Sequence, residues 1–66
     1  MSKKLIRIQA VIGKVGKGRT SIYDEVAKGL FPKPVQLGPK SVAWVEDEID
    51  AFIDAKIAAR DARARA

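Results

Sequence analysis

A chain of 66 residues has room for one hydrophobic core, and at this length only about 60% of the unfolded surface is buried on folding, so modest stability is expected. Cysteine and histidine are both absent, which excludes disulfides, thiolate or zinc centres of the usual kind, and histidine acid/base chemistry; no metal and no cofactor is expected. The formal charge of +5 is uneven: residues 1–40 hold nine Lys/Arg against Asp24 and Glu25, a net of +7, while residues 41–66 hold four Lys/Arg against six acidic residues, a net of −2.

The N-terminal Lys3, Lys4, Leu5, Ile6, Arg7 and Ile8 combine charge with an apolar run too short for a signal peptide or membrane span, so a soluble, cytoplasmic protein with no membrane partner is expected. Leu5, Ile6 and Ile8 suit a brief edge strand or extended lead-in. Ile8, Val11, Ile12 and Val15 then recur at helical spacing, which predicts a first helix over 9–15, weakened by Gly13. Gly16, Lys17 and Gly18 break it. A second helix starts at Arg19, with Gly18 as its N-cap and Gly29 at the position where a helix ends on positive φ.

That second helix has two faces. Ile22 and Val26 lie on one side, while Lys17, Thr20, Asp24 and Lys28 line the other. Two short helices joined by a glycine-containing turn match a helix-turn-helix, in which the first helix braces the second against the major groove. Leu30 and Phe31 are expected to tuck beneath the second helix, and Pro32 and Pro34 force an extended path. Val35 to Leu37, the turn Gly38-Pro39-Lys40 and Ser41 to Trp44 read as a β-hairpin whose tip carries Lys40.

From Glu46 the pattern is helical again: Val45, Ile49, Phe52, Ile53 and Ile57 form one stripe, with Glu46, Asp47, Glu48 and Asp50 in the first turns, where a helix favours negative charge. Trp44 and Phe52 are expected in the core. Beyond Ile57 nothing larger than alanine is apolar, so residues 58–66 are expected to fray from a core spanning 4–57. The fold class is therefore mostly α with a small β-hairpin, a single winged helix-turn-helix domain over residues 1–66.

The residues Leu5-Ile6-Arg7-Ile8, Thr20-Ser21-Ile22-Tyr23, the run from Gly29 to Gly38, Val42-Ala43-Trp44 and the acidic helix from Glu46 to Phe52 resemble the AlpA family of phage and prophage transcriptional regulators. That family is similar to excisionases and to the DNA-binding domain of MerR regulators. The resemblance covers about residues 4–57. It implies a regulator that binds duplex DNA near phage or mobile-element genes, sometimes promoting excision. The sequence departs from the family pattern at Gly18, where a serine or threonine usually caps, and at Asp24-Glu25, where a basic residue commonly follows the tyrosine.

Independently of the resemblance, Arg19, Thr20 and Ser21 sit at the helix end that reaches base edges in helix-turn-helix proteins, and an arginine there suits guanine or a phosphate equally. Tyr23 lies between the faces and is a candidate for covering the core with its ring and reaching phosphate with its hydroxyl. Lys17, Lys28, Lys33 and Lys40 are candidate phosphate contacts. For Asp24, pairing with Lys28 at i+4 is the favoured role over accepting from cytosine. A single winged helix covers one half-site, which leaves room for a dimer or tandem binding; integrase and RNA polymerase are the candidate protein partners.

Three other classes compete. Gly13 to Thr20 nearly spells the phosphate-binding loop G-x-x-x-x-G-K-[ST], with Arg19 at the lysine position, but the chain is too short for the βαβ sheet that loop needs, so no enzyme is expected. Gly13-Lys14-Val15-Gly16 matches the GXXG loop of KH domains, which clamp single-stranded RNA. A small protein-interaction adaptor would use the acidic third helix and basic tail.

Overall fold

The computed structural model describes residues 3–65. Six elements follow in order: β1 Leu5–Ile6, α1 Ile8–Val15, α2 Arg19–Ala27, β2 Val35–Gly38, β3 Ser41–Val45 and α3 Glu46–Arg65. This is a helix-turn-helix followed by a hairpin wing. β3 is the central strand of a three-stranded antiparallel sheet in the order β1-β3-β2, with Leu5 opposite Val45, Ile6 opposite Trp44 and Val35 opposite Ala43. The lead-in strand thus closes the sheet on the side away from the wing, a pairing between residues some forty positions apart that local pattern does not encode.

Each helix ends where its glycine permits. Gly16 adopts φ 73° and donates its N–H to the Ile12 carbonyl at 2.9 Å, stopping α1. Gly29 adopts φ 75°, and the bonds Leu30 N–H to Glu25 carbonyl (2.9 Å) and Gly29 N–H to Val26 carbonyl (3.1 Å) form a Schellman closure of α2. Both stops fall where the sequence predicts them.

The core gathers one or two residues from most elements: Ile6, Val11, Ile22, Phe31, Trp44 and Ile49, flanked by half-buried Ile8, Ile12, Val15, Val26, Val42, Phe52 and Ile53. Trp44 is fully buried, and its indole N–H donates to the Pro32 carbonyl at 2.8 Å, so the one polar atom of the ring is satisfied. Phe31 and Phe52 meet with ring centroids 4.7 Å apart.

Three expectations fail. Leu30 does not tuck beneath α2 but is 61% exposed, because the Schellman closure turns the chain outward before Phe31 turns back in. Ile57, expected in the core stripe, is 42% exposed, since the body of the domain ends one turn earlier at Phe52 and Ile53. The tail does not fray at residue 58: α3 continues to Arg65, carried by the helix propensity of its alanines and arginines with no packing to support it, and Ala66 lies outside the described residues. Smaller differences are a start of α1 at Ile8 and an irregularity between Gln36 and Gly38 that narrows the hairpin turn to Pro39-Lys40.

Candidate nucleic-acid interface

α2 buries only Ile22 completely, with Val26 and Glu25 half-covered; the rest of its length faces solvent. Its N-cap, Gly18, is extended (φ −73°, ψ 163°) and offers no side-chain cap, so the N–H groups of the first turn stand open to an external acceptor. Arg19, Thr20 and Ser21 occupy that turn and are all exposed. Helical spacing sets Thr20, Ser21, Asp24 and Lys28 opposite Ile22 and Val26, with Arg19 and Tyr23 on one flank.

Tyr23 is 40% exposed and packs its ring against Trp44, centroids 5.9 Å apart and tilted by 57°. The core half of its expected double position is thus filled by Trp44. Asp24 and Lys28 form the i,i+4 ion pair at 3.0 Å; both ends are more than half exposed, which limits such a pair to about 0.3–0.5 kcal/mol in water. Lys17, in the turn, reaches along α2 to pair with Glu25. Arg19, Lys33 and Lys40 form no ion pair with another described residue, leaving their charge free for a ligand.

These eight residues sit on three parts of the chain: α2 with its flanking residues, the proline-bounded loop and the hairpin turn. Lys17, Arg19, Thr20 and Ser21 gather at the start of α2; Tyr23 sits a turn further in, and Lys28 caps the far end about 13 Å away. Lys33 lies in the proline-bounded loop, and Lys40 at the hairpin turn. Trp44 ties the groups together, touching Tyr23 of α2 and Pro32 of the loop from its place on the wing strand.

Lys14 was not among the expected site residues, yet it anchors the base of the unit. Its ammonium lies 2.7 Å from Asp50 and 3.4 Å from Glu46, joining the end of α1 to the start of α3. The hydrogen bond to Asp50 raises its pKa above the ordinary 10.5. A separation of 36 residues hides this contact from any sequence pattern.

The competing motifs lose their structural context. Gly13, Lys14 and Val15 are helical residues inside α1, so the GXXG run is not a loop. The near-match to a phosphate-binding loop joins one helix to another, whereas that motif needs a strand before it. Among the described residues no group of His, Cys, Asp or Glu could hold a metal ion, and no helix is long and apolar enough to cross a membrane.

Comparison with known proteins gives relatives in a phage and in a bacterium. A protein described as "Uncharacterized protein ORF88" from Enterobacteria phage P4 is 38% identical over 58 residues, covering 88% of this chain and 66% of the phage protein. The "DNA-binding transcriptional activator AlpA" of Escherichia coli (strain K12) is 41% identical over 56 residues, covering 76% of this chain and 80% of that protein. No solved structure matches. The family described as "Prophage CP4-57 regulatory protein (AlpA)" matches residues 4–57, which span every element through the packed part of α3; the chain belongs to the AlpA family of prophage regulatory proteins.

Proposed function

We propose that this protein is a sequence-specific, duplex-DNA-binding transcriptional regulator of a phage, prophage or mobile element, acting in the cytoplasm without enzymatic activity. One observation carries the proposal: α2 is exposed along nearly its whole length and begins with an uncapped turn bearing Arg19, Thr20 and Ser21, within the segment of net charge +7. The E. coli relative's description as a DNA-binding transcriptional activator supports it.

In this mechanism α2 enters the major groove N-terminus first. Arg19 contacts guanine or an adjacent phosphate, Thr20 and Ser21 reach base edges or phosphate, and the open N–H groups donate to a phosphate oxygen. Lys17, Lys28, Lys33 and Lys40 hold the backbone, and the Tyr23 hydroxyl extends toward it from a ring fixed by Trp44. Asp24, neutralised by Lys28, is kept from repelling phosphate. Such a unit covers one half-site, so two copies as a dimer or in tandem complete the operator. Contact with RNA polymerase would make it an activator, and contact with integrase would make it an excision factor.

Selection of bound duplexes from random sequence tests the assignment, because the recovered site reports both specificity and the number of copies bound. The duplex is expected to bind better than either single strand. Arg19→Ala is expected to weaken binding and relax preference at one position by about 1–3 kcal/mol while leaving the melt unchanged. Equal binding of single strands, or a variant indistinguishable from wild type, would remove α2 from the interface.

A further inference from the structure

β2 is an outer strand of the sheet, and none of its residues is buried. Gln36 stands opposite Val42 in the register, so it shares the sheet face on which Val42 and Trp44 meet the core, the face toward Tyr23 of α2. It lies one row nearer the hairpin turn than Trp44, about 7 Å along the strand, and is exposed there. Its Nε2 donates to the Gly38 carbonyl at 3.2 Å. A carbonyl only accepts, so this bond fixes which end of the amide is nitrogen. It leaves Oε1 and the second N–H without a partner among the described residues.

Gly38, beside that amide, is a glycine the fold itself does not require. Its φ is not positive, unlike those of Gly16 and Gly29, and a would-be Cβ would meet only Ser41 Cβ at 4.0 Å, an ordinary contact. Glycine weakens a strand, and where neither φ nor internal crowding calls for it, it marks a place where an outside group comes close to the backbone. The amide says what kind of group. Its free acceptor and free donor lie side by side on one plane, which suits an edge that donates and accepts at adjacent atoms. In the minor groove an A·T pair shows acceptors alone, whereas guanine sets its N2 amino donor next to its N3 acceptor. That groove is only about 6 Å wide and takes the bare edge of a strand better than a helix. A partner strand pairing along β2 would use backbone groups and leave the amide idle.

We infer that Gln36 is a specificity-determining residue that reads one guanine in the minor groove, beside the major-groove stretch entered by α2. Oε1 accepts from the guanine N2 amino group, the free N–H of Nε2 donates to N3, and the bare Gly38 lets the base edge come close. The bond to the Gly38 carbonyl holds the amide in the reading orientation before DNA arrives. This rests on the duplex-binding reading and deepens it: α2 alone reads the major groove, and the wing adds one G·C pair outside that stretch.

The test uses the full chain, the duplex recovered by selection from random sequence, and copies of it in which each guanine in turn is replaced by inosine, which lacks only the N2 amino group. At one position outside the stretch affected by Arg19→Ala, inosine is expected to weaken wild-type binding by about tenfold, within what one bidentate base contact supplies. Gln36→Leu is expected to bind the guanine and inosine duplexes alike, at the weaker affinity. Gly38→Ala is expected to follow it, with circular dichroism showing both variants folded. Indifference of the wild type to inosine at every guanine, or discrimination retained by Gln36→Leu, overturns the inference; if Arg19→Ala still weakens the same duplex, the α2 mechanism survives that result. Gly38→Ala binding the guanine duplex at full strength overturns it as well. So does a loss of affinity with 7-deazaadenine and none with inosine, which would move the amide to the major groove. No binding of any duplex at low salt overturns both readings together.

Discussion

Trp44 donates its indole N–H to the Pro32 carbonyl, faces Tyr23 across 5.9 Å and lies opposite Ile6 in the sheet. Its removal therefore loosens three connections at once. Trp44→Ala is expected to cost about 3–5 kcal/mol, comparable with the whole stability of a small domain, and to abolish a cooperative melt in circular dichroism. A near-native melt would show that the packing around the ring is redundant. Lys14 gives a prediction with a pH signature. Because its two carboxylate partners raise its pKa, the stabilisation it supplies is fully present below 10.5 and fades as pH climbs through the higher folded-state value. The difference in Tm between wild type and Lys14→Met should stay level from about pH 7 to 9 and shrink as pH rises above 10.5. A constant difference across that range would remove the ion pairs as its cause. At this scale the sequence exposed Trp44 as a core residue, through size and alternation, but not Lys14, whose partners are set only by the fold.

The helices and their stops were legible because the signals are local: an apolar stripe at helical spacing, then a glycine. Two glycines make opposite predictions from the same data. Gly29 holds φ 75° with open space around a would-be Cβ, so Gly29→Ala carries a purely backbone penalty of about 1 kcal/mol, roughly 4–8 °C in Tm. Gly13 lies inside α1, also with nothing near a would-be Cβ and without positive φ, so Gly13→Ala should stabilise by about 0.5–1 kcal/mol. Thermal melts decide both, and a shared sign would mean that the backbone geometry is not what governs either. The extent of α3 was less legible. Loss of large apolar residues after Ile57 marks the end of packing but not of the helix; propensity alone carries Ala58 to Arg65.

At the scale of the molecule, charge and architecture separate. Cations dominate the first forty residues, which hold α2 and the hairpin turn, while the acidic turns begin α3 and tie it to α1 through Lys14. Binding that engages four or five phosphates should give a slope of log K against log salt of about −4, as each contributes about −0.9. A slope near zero would discard the electrostatic account of the interface. The fold class and the cationic half could be read in advance because composition and order survive without coordinates. The three-stranded sheet, the exposure of Leu30 and the tie from Lys14 to α3 could not, since each depends on residues brought together from distant parts of the chain.

The hydrogen bond from Trp44 to Pro32 has a mechanical corollary. In the proposed duplex mechanism α2 and the wing are two jaws on one joint at Trp44, with proline restricting the span beside it. Any double helix gripped by both jaws must itself supply whatever bending the fit demands, and the suppleness of its base steps then becomes part of what is selected.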